Sequence, residues 1–192
     1  MAELSMDRTV GTHKLDDRLA AHRAVAWQHG VVGGLAGAVI MGIFLVLAMG
    51  LSGNGYLRPF ELIGSVWYGA FTTGAAVIVV GIVTHLAVAV LFGVVWAFLF
   101  SYVKVEPVIS GLVYGALLWV LMQFLVLPTA GWLLGKTTDF QTYFSDFGMS
   151  KVLGLSTTQG FSLWMVLGAY LLFGLSLGAF EEWADRRRAD HI

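Results

Sequence analysis

One histidine inside a long apolar run is the residue best placed to do chemistry. His85 lies in the stretch 81–100, which contains no Asp, Glu, Lys or Arg. A polar ring at such a depth in a bilayer is costly and usually faces protein rather than lipid. An imidazole there could ligate haem iron, contact a quinone or relay a proton. The competing interpretation is a packing histidine that hydrogen-bonds to a neighbouring helix.

Two other polar side chains are expected at a similar depth. At about 1.5 Å per residue along antiparallel helices, Tyr170 lies at nearly the depth of His85, and Gln123 lies somewhat shallower. Either could hydrogen-bond to the imidazole. Interhelical hydrogen bonds in membranes contribute about 0.6 kcal/mol on average, enough to fix the register of the helices. His85, Gln123 and Tyr170 are therefore the predicted intramembrane polar residues.

The rest of the sequence offers little for catalysis. Cysteine is absent, which removes thiol nucleophiles, disulfides and Cys-ligated metal centres. The zinc-protease motif H-E-x-x-H and the P-loop motif G-x-x-x-x-G-K-[ST] do not occur. His22 and His29 share a predicted helix face, but two ligands do not make a metal site. We predict no catalytic residue, no cofactor and no metal, with haem or quinone contact at His85 as the alternative.

Four long segments of the sequence contain no Asp, Glu, Lys or Arg. Hydrophobic residues make up 58% of the chain and charged residues 12%, about half the roughly 25% charged share of soluble domains. Each segment exceeds the roughly 20 residues that cross a bilayer. The sequence predicts an all-α integral membrane protein with one four-helix transmembrane domain over 30–180. The spans are expected at about 30–51, 74–103, 108–128 and 160–180.

The charged ends set the predicted orientation. Segment 1–29 is expected to carry an amphipathic helix from Lys14 on the membrane surface, and 181–192 to form a basic tail. These ends and Lys104 hold eight of the eleven Lys and Arg residues, so the positive-inside rule places both termini in the cytoplasm. No cleavable signal is expected. The net charge of −1 argues against a nucleic-acid partner.

The connections between the spans are also predicted. A short interfacial helix is expected to start near Pro59. The tight turn at 104–107 makes the second and third spans antiparallel neighbours. The loop 129–159 is rich in aromatic residues, which favours a lid on the membrane or a docking surface.

Glycines in the spans predict close helix packing. The small-xxx-small spacing lets helix backbones approach each other in lipid. The predicted packing residues are Gly33, Gly37, Gly111, Gly115, Gly174 and Gly178.

The spans also indicate an internal repeat. With an offset of 78, Gly37 falls on Gly115, and with an offset of 81, Gly93 falls on Gly174. This pattern predicts two helix hairpins of the same orientation, a parallel repeat of the kind found in transporters. His85 falls on Val166, so the polar residues are not duplicated.

Short motifs along 30–180 resemble those of a known family. They are Pro59-Phe60-Glu61-Leu62-Ile63, Thr84-His85-Leu86, Phe92-Gly93, Tyr114-Gly115-Ala116, Leu125-Val126-Leu127-Pro128 and Phe173-Gly174. In this order they resemble the YagU-like four-span bacterial inner-membrane proteins of uncharacterised function. The resemblance implies a location in the bacterial inner membrane, but it implies no activity.

Three functions are compatible with these features. The first is a non-catalytic accessory or structural subunit of a larger inner-membrane complex, such as a respiratory or electron-transfer complex, with lipids and other membrane subunits as partners. The alternative is a small homo-oligomeric channel or transporter, although no intramembrane carboxylate or lysine is present for ion coupling. The second alternative is a haem- or quinone-contacting membrane protein that uses His85.

Overall fold

In the computed structural model, the described part of the chain is almost entirely helical, with short non-helical connections such as the turn at 52–57. That part comprises 3–68, 73–100, 105–126, 129 and 163–189, with side chains from Trp27 onward except at 163, 185, 188 and 189. The helices are α1 Glu3–Leu51, α2 Arg58–Tyr68, α3 Ala75–Phe100, α4 Pro107–Leu121 and α5 Leu163–Ala189. A π-helical segment, Met122–Val126, directly follows α4.

Four of these stretches are long and apolar enough to cross a membrane. They are Trp27–Leu51, Ala75–Phe100, Pro107–Val126 and Trp164–Ala184. The prediction of an all-helical chain with four apolar spans is confirmed for the described residues. The predicted aromatic loop 129–159 lies, except for Thr129, outside them.

The two ends of the chain differ in detail from the prediction. α1 begins at Glu3 rather than Lys14 and continues without a break through Gly30. Within this helix, the backbone of Gly30 packs against Gly93 of α3. At the other end, α5 continues through most of the predicted tail to Ala189.

A helix cap fixes the start of α4. The Glu106 carboxylate accepts a hydrogen bond from the Ile109 backbone N–H at 2.8 Å, and Pro107 occupies the first helical turn. Both features satisfy groups that a helix N-terminus leaves unpaired.

We expect Glu106→Ala to lower the free energy of unfolding by about 1 kcal/mol, because it removes this cap. Thermal unfolding of the detergent-solubilised protein would measure the loss. Glu106→Gln, which keeps an acceptor oxygen, should lose less. Equal stability of the alanine variant and the wild type would contradict the role of the cap.

The helices pack in a defined set of pairs. α1 lies against both α3 and α5, α4 lies against α5, and α2 lies against α3. α3 and α4 meet through the side chains of Trp96 and Tyr114, whose rings are 5.2 Å apart. The second and third spans are thus in contact, as the tight turn predicts, but through aromatic rings. The buried core cluster is Ala38, Ala89, Trp96, Tyr114, Leu118, Phe173 and Leu177.

Candidate functional site

His85 of α3 is buried between α1 and α2. Only 9% of the residue is exposed. Its Nε2 lies 3.0 Å from the carbonyl oxygen of Ala38 in α1. Since a carbonyl oxygen can only accept, Nε2 carries the proton and donates it. The Phe60 ring of α2 meets the imidazole edge-on, with centroids 5.8 Å apart. One histidine therefore joins three helices.

The hydrogen-bond partner of His85 differs from the predicted one. Gln123 and Tyr170 were possible partners from the sequence, whereas the Nε2 of the imidazole bonds to a main-chain carbonyl. Gly42, one turn after Ala38, lies beside the ring, and a Cβ built there would make an ordinary contact with Nε2 at 3.5 Å. A carbonyl oxygen has two lone pairs, so Ala38 can accept the imidazole in addition to its helical hydrogen bond.

The other two predicted polar residues occupy different surroundings. Gln123 is 7% exposed and lies in the π-helical segment after α4. Such segments often occur at functional sites. Tyr170 of α5 is half-buried and packs against the core cluster. The three predicted residues therefore belong to three different helical elements.

The predicted packing glycines lie at helix crossings. Between α4 and α5, Gly111 lies against the carbonyl of Gly174, and Gly115 against that of Tyr170. Gly178 lies against the carbonyl of Pro107.

The remaining predicted pair lies between α1 and α5. A Cβ at Gly33 would lie 3.3 Å from Leu177, and one at Gly37 would lie 2.8 Å from the Phe173 ring. Between α4 and α5 a side chain in place of glycine would meet backbone atoms and move the helices apart, whereas between α1 and α5 it would first meet side chains, which would have to shift.

A similar contact joins α1 and α3. The four-residue spacing of Gly30 and Gly34 predicts close packing there, but sequence reasoning missed the partner helix. A Cβ at Gly30 would lie 2.7 Å from the carbonyl oxygen of Gly93, and one at Gly34 would lie 2.8 Å from that of Ala89. Gly81 makes a comparable approach to the carbonyl of Phe60 in α2. The signal was present in the sequence, because α3 carries small residues at four-residue spacing on both sides of His85. They are Gly81, Ala89, Gly93 and Ala97.

An aromatic cluster fills the space between α3 and α4. The Tyr114 hydroxyl donates to the carbonyl of Phe92 at 2.7 Å. Trp96 stacks on Phe100 with centroids 5.0 Å apart. The Nε1 of Trp96 is buried, and no partner for it occurs among the described residues. The cluster joins the two helices mainly by apolar contact.

Metal-ligating groups are sparse in the described ranges. No set of three His, Asp or Glu side chains there could hold a metal ion. His29 lies 3.5 Å from Glu181 of α5, which connects the two helices near their polar ends. The side chain of His22, its predicted neighbour on the helix face, lies outside the described residues.

Comparison with protein-family models, with curated proteins and with solved structures finds no match to this chain.

Proposed function

We propose that this protein is a four-span membrane protein that serves as a non-catalytic accessory subunit of a larger inner-membrane complex, such as a respiratory or electron-transfer complex. One observation carries this proposal. The Nε2 proton of His85, the group best placed for chemistry, is donated to the Ala38 carbonyl and so holds α1 against α3. To ligate iron through this nitrogen, His85 would have to give up that bond.

The packing supports two related helix hairpins in the four-helix domain. In the first pair, Gly30 meets Gly93 and Gly34 meets Ala89. In the second pair, the residues 81 positions later meet in the same way. These contacts are Gly111 with Gly174 and Gly115 with Tyr170. A single offset of 81 therefore relates both helices of the hairpins and replaces the offset of 78 inferred for the first and third spans.

The repeat is not symmetric in its side chains. Gly33, which packs closely on Leu177 between α1 and α5, has Tyr114 as its repeat equivalent. Trp96 of α3 is likewise the repeat equivalent of Leu177. Large rings thus hold α3 and α4 apart where glycine lets α1 and α5 approach each other.

The buried polar residues are not repeated either. At an offset of 81, His85 falls on Val166, and Gln123 falls on Gly42. A transport path shared by two related halves would favour polar residues in equivalent places. These differences support a structural role over the channel or transporter alternative.

The outward surface of the bundle suits lipid or partner subunits. Apolar side chains are exposed along every span, for example Ile43, Val83, Leu117 and Trp164. The charge distribution supports cytoplasmic termini, and the motif resemblance supports the bacterial inner membrane. Exposed apolar surface of this extent is typical of membrane-embedded or subunit-covered faces.

Affinity purification tests the proposal. The tagged full-length chain would be expressed at its native level and isolated from membranes in a mild detergent. We expect stoichiometric co-purification of other membrane subunits, identified by mass spectrometry. An unrelated four-span protein with the same tag and abundance serves as the control. If the tagged chain recovers the same proteins as this control, the proposal is wrong.

A further inference from the structure

A shallow apolar groove runs between α1 and α5 on the outside of the bundle. Ala36 and Ile40 line one side and the stretch Leu172–Trp183 the other, with a volume of about 530 Å³. The groove exists because Ser176 and Ala179 are small. The Ser176 hydroxyl already donates to the Leu172 carbonyl at 2.7 Å, so the lining is effectively apolar.

The groove has the length of one membrane leaflet. From Leu172 to Trp183 it follows three turns of α5, about 16 Å at 1.5 Å per residue. Half of a hydrocarbon core about 30 Å thick is close to this distance. Leu172 lies near the middle of the candidate span Trp164–Ala184, and Trp183 lies at its end. The groove thus extends from mid-span to the end that the charge distribution places in the cytoplasm.

A cation lies at the polar end of the groove. The Arg187 guanidinium carbon lies 4.2 Å from the centre of the Trp183 ring, a cation–π geometry. The neighbouring charges have other contacts, since Arg186 pairs with Glu182, and His29 lies beside Glu181. Among the described residues, Arg187 makes no ion pair. The guanidinium therefore lies at the Trp183 end of the groove.

We propose that this groove binds an acyl chain of an anionic glycerophospholipid from the cytoplasmic leaflet, with the lipid phosphate at Arg187. The inference rests on the membrane location and orientation proposed above. Anionic lipids concentrate in the cytoplasmic leaflet and are attracted by about 1 kcal/mol for each nearby Arg.

Native mass spectrometry of the purified full-length chain tests this inference. Dioleoylphosphatidylglycerol and dioleoylphosphatidylcholine would be titrated separately. We expect the wild type to bind phosphatidylglycerol about five-fold more tightly, the ratio that 1 kcal/mol gives. Arg187→Gln should abolish this preference. Ala179→Trp should fill the groove and reduce binding at least ten-fold, whereas Ala87→Trp, on an exposed position of α3, should bind as the wild type does.

Three results would overturn the inference. They are equal binding of both lipids by the wild type, unchanged binding by Ala179→Trp, and an Ala179→Trp variant that changes its oligomeric mass but not its lipid count. The last result would make the groove an interface between copies. If the wild type co-purifies with partner subunits but shows no headgroup preference, only the lipid inference fails. If it shows the preference but has no partner subunits, only the accessory-subunit proposal fails.

Discussion

Gly93→Ala is expected to lower the free energy of unfolding by about 1–3 kcal/mol, the usual range for overpacking a tight contact. A Cβ at this position would meet the carbonyl oxygen of Gly30 and lie 2.7 Å from the Cα of Gly34. Backbone atoms of a long helix cannot move aside individually, so α1 and α3 would separate along their length. Unfolding in a graded detergent titration, followed by tryptophan fluorescence, measures the effect.

Two further variants test this prediction: a matched control, and the equivalent substitution in the second hairpin. Gly168→Ala places its Cβ 3.4 Å from the Phe44 ring, an ordinary contact, and should leave stability unchanged or raised. Gly174→Ala, the equivalent of Gly93→Ala in the second hairpin, should cost about as much as Gly93→Ala. If Gly93→Ala is as stable as the Gly168→Ala control, the backbone contact between α1 and α3 is not tight. If Gly93→Ala and Gly174→Ala differ widely, the repeat fails as an account of the packing.

His85→Ala should cost about 2–4 kcal/mol of unfolding free energy, because it leaves a cavity beside Phe60 and removes the hydrogen bond to Ala38. His85→Phe keeps most of the volume and loses mainly the hydrogen bond, about 0.6 kcal/mol. The same detergent titration measures both variants. Their difference separates the packing contribution of the ring from its hydrogen bond.

Two measurements on the His85→Phe variant test the role of His85 independently of stability: the subunits that co-purify with it and the visible absorption spectrum. We expect the His85→Phe variant to retain any co-purifying subunits in wild-type proportion and to leave the visible spectrum of the assembly unchanged. A variant that folds normally but loses a haem absorption band would assign His85 to iron instead. It would also contradict the structural role argued from Ala38.

The sequence was sufficient to predict the four apolar spans of the described residues and their approximate limits. Uncharged gaps longer than a bilayer crossing leave few alternatives, and α3 and α4 begin within one residue of the predicted positions. The limits of α1 and α5 were less predictable. Charged residues mark where a helix leaves the apolar region, but they do not end the helix, so α5 continues to Ala189.

The partner of His85 could not be predicted from residue types. Every helical residue has a carbonyl oxygen, so a pattern of side chains cannot single out Ala38 as the acceptor. The repeat offset was ambiguous for a related reason. Gly30/Gly34 and Gly33/Gly37 both match the four-residue spacing of Gly111/Gly115. Only the contacts of Gly30 and Gly34 with α3 favour an offset of 81 over 78.

The native mass of the assembly tests the accessory-subunit proposal most directly. Membranes would be solubilised under mild conditions, and the complex that contains this 20.8 kDa chain would be measured intact by native mass spectrometry. The proposal predicts a mass that includes other protein subunits in fixed stoichiometry with this chain. A set of masses that are only whole multiples of the chain, with bound lipid, would contradict it and favour the homo-oligomeric channel.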